Sequence, residues 1–97
     1  MMKLVQVSDV AHVGGVDYDT YLLRDDTSDE VIHFNTKTEA DKAEYSVKEH
    51  QAFQRIRREI TEHHLQVLKD KDDGRGYIVR LLVERPLNRA SKVIDLN

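Results

Sequence analysis

Asp72-Asp73-Gly74-Arg75-Gly76-Tyr77-Ile78-Val79-Arg80-Leu81-Leu82-Val83-Glu84-Arg85 is a tight turn running into a strand. The acidic residues and two glycines supply turn chemistry. From Tyr77 onward, β-branched, aromatic and aliphatic residues dominate, with Tyr77, Val79, Leu81 and Val83 on one face. The preceding run, His64-Leu65-Gln66-Val67-Leu68-Lys69, is ambiguous alone: Leu65 and Val67 alternate as in a strand, while Val67 also continues a helical stripe. The turn and the strong strand after it resolve the ambiguity, because a strand of 75–85 needs a partner and a hairpin with 64–70 provides one. Pro86 closes the strand, since proline donates no ladder hydrogen bond.

Working outward, Thr36-Lys37-Thr38-Glu39 matches a capping box, in which the Thr36 hydroxyl accepts the free N–H of Glu39 and Glu39 reaches back to the N–H of the cap itself. No proline or glycine follows until past His63, so a long helix is expected from Lys37. Phe53, Ile56, Ile60 and His64 share a stripe roughly 80° wide, with Lys48, Gln51, Arg55, Arg58 and Glu62 opposite. Ala40, Ala43 and Val47 lie well off that stripe. The first turns therefore either face another neighbour or belong to a bent or separate helix near Ser46.

Met2 to Val7 reads as a short strand, and Gly14-Gly15 breaks regular structure after it. Val16 to Arg24 alternates, with Val16, Tyr18, Thr20 and Leu22 on the face expected to meet the core. Asp25-Asp26-Thr27-Ser28-Asp29 is turn-forming, and Glu30 to Asn35 alternates again, so a second hairpin is expected there. Val93, Ile94 and Leu96 let the C-terminal segment either dock or add a short edge strand. The expected fold is α+β: an antiparallel sheet of four to five strands, in the order β-ββ-α-ββ, packed on one face by a long helix in a single domain over residues 1–97.

Composition bounds the function. The 97 residues are 39% hydrophobic and 34% charged, clustered and periodic enough to fold, with room for one core. The absence of cysteine excludes disulfides, thiolate nucleophiles and cysteine metal sites. Met1 to Val10 includes Lys3, Gln6 and Asp9, and no run reaches membrane-spanning length, so a cytoplasmic location with no membrane contact is expected. The net charge of −3 is uneven. Residues 1–36 hold two bases, Lys3 and Arg24, against seven acids, while residues 63–97 hold seven bases against five acids.

No motif predicts catalysis, a cofactor or a metal. The five histidines lack the i, i+4 spacing that puts two imidazoles on one helix face. Placing Gly74 at the sixth position of a calcium loop puts Lys69 and Lys71 at ligand positions one and three, and Arg80 at twelve. Gly14-Gly15 leads into a strand, not onto the helix N-terminus that a phosphate cradle needs. Ser8, Ser28, Ser46 and Ser91 sit in no nucleophile elbow.

The expected function is therefore a non-catalytic regulatory or accessory protein that binds another protein, or itself as a homodimer. Tyr21, Leu23, Ile78 and Leu82 fall opposite the expected core face and would form an exposed apolar patch with Arg80 beside it. Asp17, Asp19, Asp25 and Asp26 would add an acidic surface suited to a basic partner, and sheet edges offer strand addition.

Nucleic acid is the alternative partner, through Lys48, Arg55, Arg57 and Arg58 on the helix and the basic C-terminal third. The stretch from Tyr21-Leu22-Leu23-Arg24 through Phe34-Asn35-Thr36-Lys37-Thr38-Glu39-Ala40 resembles the hairpin-then-helix pattern of three-strand DNA-reading domains such as the arm-binding domains of phage integrases. That resemblance spans residues 21–40 and implies a DNA-facing sheet. The sequence departs from it at Asp17, Asp19, Asp25 and Asp26, which would repel phosphate.

Overall fold

A computed structural model describes residues 2–59, 65–72, 74–84 and 93–96. Its elements are β1 (Met2–Val13), β2 (Val16–Asp25), α1 (Lys37–Glu49), α2 (Gln51–Glu59), β3 (Leu65–Asp72), β4 (Gly76–Glu84) and β5 (Val93–Asp95). The strands form one antiparallel sheet in the order β3-β4-β2-β1-β5, with the helices packed on one face, so the α+β expectation is met. The 65–72 segment is a strand, in unbroken register with β4 from Leu65 opposite Val83 to Asp72 opposite Gly76.

The N-terminal hairpin differs from expectation. β1 runs on to Val13 and pairs with β2 through Gly14-Gly15, whose φ values of 58° and 79° are those of a two-residue type I′ turn. A shift of register between Val7 and Val10 marks a β-bulge. Residues 30–35, expected as the second arm of a hairpin, form no strand. They leave β2 through a tied turn: the Asp25 carboxylate accepts the N–H groups of Thr27 at 2.8 Å and Ser28 at 3.1 Å, and Asp29 sits at φ 58° with its N–H on the Asp25 carbonyl. The chain then fills the gap where β2 and β4 diverge, with Val31 bridging Arg24 and Phe34 bridging Tyr77. The three-strand DNA-reading pattern is therefore not the fold adopted.

The long helix is two helices, the separate-helix alternative that the offset of Ala40, Ala43 and Val47 left open, with the break at His50 and not at Ser46. A straight helix would set Val47 and Phe53 about 120° apart around its axis, so both could not face one sheet. The chain breaks at His50, whose ψ of 137° is extended, and its N–H still closes α1 on the Ser46 and Val47 carbonyls. Its carbonyl opens α2 by accepting the Gln54 N–H at 2.9 Å, and the Gln54 side chain caps the Lys48 carbonyl. Ala40, Ala43, Val47 and Phe53 all reach the core as a result. The cap of α1 is the expected Thr36–Glu39 bond at 3.2 Å, but the Glu39 carboxylate accepts from Asn35, the residue before the cap. The end expected near His63, with Ile60 and His64, lies outside the described residues.

Register decides the core. Tyr21 stands opposite Leu81 and Gln6, and Leu23 opposite Leu4, so Tyr21 and Leu23 share the helix-covered face with Val79, Leu81 and Val83. This reverses the face expected for β2. Tyr21 and Leu23 are 1% and 0% exposed. Ile78 and Leu82 do lie on the other face, but at 7% and 0% exposure they are buried too, beside Tyr18 and Thr20. The exposed apolar patch expected from these four residues is not formed.

Candidate functional site

With that patch buried, the surface elements that can meet a partner are the sheet margins, the acidic turns and the helix exteriors. The two margins are unequal. On the β1 side, β5 pairs with Lys3, Leu4 and Val5, and the bulge between Val7 and Val10 twists the remainder out of regular register. On the other side, β3 is eight residues long, carries no proline, glycine or bulge, and pairs among the described residues with β4 alone. In an antiparallel ladder alternate residues turn both N–H and C=O toward the same neighbour, so about half of the backbone groups of β3 point outward. This edge also carries an alternating run, Lys69-Asp70-Lys71-Asp72.

The four acids expected to act together are dispersed. Asp17 is at the β1–β2 hairpin tip, exposed, and hydrogen-bonded to His12 Nδ1 at 2.5 Å. Asp19 is half-buried opposite Val83, while Asp25 and Asp26 lie at the other end of β2, about 26 Å from Asp17 along the strand. The Asp25 carboxyl is held at a pKa of about 2, chiefly by the Thr27 hydroxyl, then by the Thr27 and Ser28 N–H groups, all of which favour its charged form. It serves its own turn. Burial, with the nearby Asp19 charge, raises the pKa of the Tyr21 phenol. Arg80 is half-buried between Leu22 and Leu68 in register.

The basic helix is only partly described. Lys48 is exposed and paired with Glu44 at 3.1 Å, an i, i+4 bond. Arg55 is exposed on α2, and the side chains of Arg57 and Arg58 lie outside the described residues. Arg55 borders a cavity of about 500 Å³ at the α1–α2 elbow with Glu49, His50 and Gln51. A second cavity of about 440 Å³ is lined by Arg24, His33 and Arg75 together with Asp29 and Glu30, so neither charge dominates it. Arg24 is occupied in holding the turn, donating from Nη1 to the Asp29 carbonyl at 3.0 Å, while Lys3 pairs with the Asp29 carboxylate.

Among the described residues no three histidine, aspartate or glutamate side chains gather around a metal-sized site. Likewise no described helix is long and apolar enough to cross a membrane. No protein-family model, curated protein or solved structure matches the chain.

Sequence reasoning named sheet edges in general but assigned none of the β3 residues to a site. Their alternation of charge is visible in the sequence; their position at the margin is not, because β4 lies between β3 and β2 only in the folded sheet. It also passed over Tyr45, 64% exposed on α1, where a hydrogen bond to Glu49 raises its phenol pKa.

Proposed function

We propose that this chain is a non-catalytic binding module that takes up an extended segment of a partner protein along the outer edge of β3. One observation carries the reading: among the described residues β3 offers eight residues of regular backbone paired on one side, whereas the opposite margin is the three-residue β5 and a bulged β1. Main-chain hydrogen bonds supply affinity in this mode, and it needs no cofactor, nucleophile or sequence motif.

Proline at two adjacent positions tests it. Of Lys69→Pro and Asp70→Pro, one removes a ladder bond to β4 and the other an outward N–H, because neighbouring residues face opposite neighbours. The variant that keeps the wild-type melting temperature identifies the outward group. Immobilised wild-type chain is expected to retain one protein from nuclease-treated lysate of the source cell, and that proline variant to lose it. Retention unchanged by the proline overturns the edge reading. Retention from untreated lysate that is lost on nuclease treatment moves the function to Arg55, Arg57, Arg58 and nucleic acid.

A further inference from the structure

Resting on the reading of β3 as the docking edge, we infer that its occupant is a strand of another protein carrying the reverse charge alternation to Lys69-Asp70-Lys71-Asp72, and not a second copy of this chain. In an antiparallel pair, residues directly opposite share a face with Cβ atoms about 5 Å apart, so opposite charges stabilise the pair and like charges oppose it. Residues 69 and 71 belong to one face and 70 and 72 to the other, as strand periodicity requires.

Every pairing in this sheet is antiparallel. A second copy continuing the sheet antiparallel is related by a two-fold axis perpendicular to it, and that operation keeps each residue on its own face. Residue pairs across such an interface therefore have the same parity. Wherever the charged runs overlap, a charged residue of one run that meets one of the other meets its own kind, lysine against lysine or aspartate against aspartate. Sliding the runs apart sets Lys69 against Val67 or Leu65, which satisfies neither side. Self-addition is opposed in every such register.

A foreign strand has no such constraint. Running antiparallel from the position opposite Asp72, it satisfies β3 when it reads basic, acidic, basic, acidic, apolar, apolar, polar, apolar, the last four positions facing Leu68, Val67, Gln66 and Leu65. The same alternation turns away generic apolar strands, which leave four charges unmatched, so the edge is selective as well as open.

Two capped peptides test the inference on the intact, isotope-labelled chain. One has the order Lys-Glu-Lys-Glu-Val-Val-Thr-Val, and the other has its first four residues swapped to Glu-Lys-Glu-Lys. The matched peptide is expected to shift the β3 amide resonances saturably, and the swapped one to bind at least about tenfold more weakly, the difference shrinking as salt rises. A chain bearing Lys69→Glu, Asp70→Lys, Lys71→Glu and Asp72→Lys together is expected to invert the preference. Equal affinity of both peptides at β3 overturns the charge inference and leaves strand addition standing. No β3 shift with either peptide overturns strand addition itself. A dimer by sedimentation with its β3 amides protected from exchange overturns the exclusion of a second copy.

Discussion

A Cβ placed on Gly76 would lie 2.5 Å from the carbonyl oxygen of Phe34. Gly76 also sits at φ 134°, a conformation that side chains rarely adopt. The closeness comes from the paired bonds that join residue 34 to β4, Phe34 N–H to the Tyr77 carbonyl and Tyr77 N–H to the Phe34 carbonyl, both 2.8 Å. Gly76→Ala is therefore expected to cost about 2 to 4 kcal/mol through backbone strain and loss of this bridge. Gly74→Ala meets nothing within 4 Å and should cost only the left-handed backbone penalty of about 1 to 2 kcal/mol. Urea denaturation of the two variants checks the difference.

Leu82 lies on the sheet face away from the helices, yet it is fully buried. Leu82→Ala should therefore destabilise by about 2 to 5 kcal/mol, as a core truncation does. An effect within about 0.5 kcal/mol, as at a surface position, would show that this face is open to solvent.

The Asp25 carboxyl links the β2 turn to pH. Its pKa of about 2 in the folded chain is below the ordinary 3.8, so the contribution is complete above about pH 4 and is lost as pH falls through 2. Asp25→Ala should flatten the dependence of stability on pH between 4 and 2, measured as urea midpoints. An unchanged slope would show that the turn does not depend on the charged form.

At the start of α1, Thr36→Ala removes the acceptor for the Glu39 N–H and is expected to cost about 1 kcal/mol. Glu39→Ala removes the acceptor for Asn35. The two bonds hold adjacent groups of one turn, so the double variant should cost less than the two single costs added together. Thermal unfolding of the four-member cycle measures the coupling.

Where local chemistry suffices, the sequence foretold the structure: the Thr36 cap, and a strand expected over 64–70 and found at Leu65–Asp72, paired with the strand after the turn. The Gly14-Gly15 pair was read as a break and is a turn, because two consecutive left-handed glycines suit a hairpin as well as they end a strand. The helix break at His50 carries neither proline nor glycine. Its cause is the offset between Val47 and Phe53, which acts only when both must meet one sheet.

The candidate site was least visible. Val16 to Arg24 offers side chains suited to burial on both faces, and a two-residue period does not say which one is covered. The pairing of Tyr21 with Leu81 decides it and buries two residues the sequence had placed outside. By itself the sequence determined the Thr36 cap, the strand runs within β1, β2, β3 and β4, and the charge alternation along residues 69–72. Only the tertiary structure decided which strands distant in sequence are neighbours, which faces are buried and which strand is left at the margin, because those depend on register and strand order, set by contacts between residues far apart in the chain.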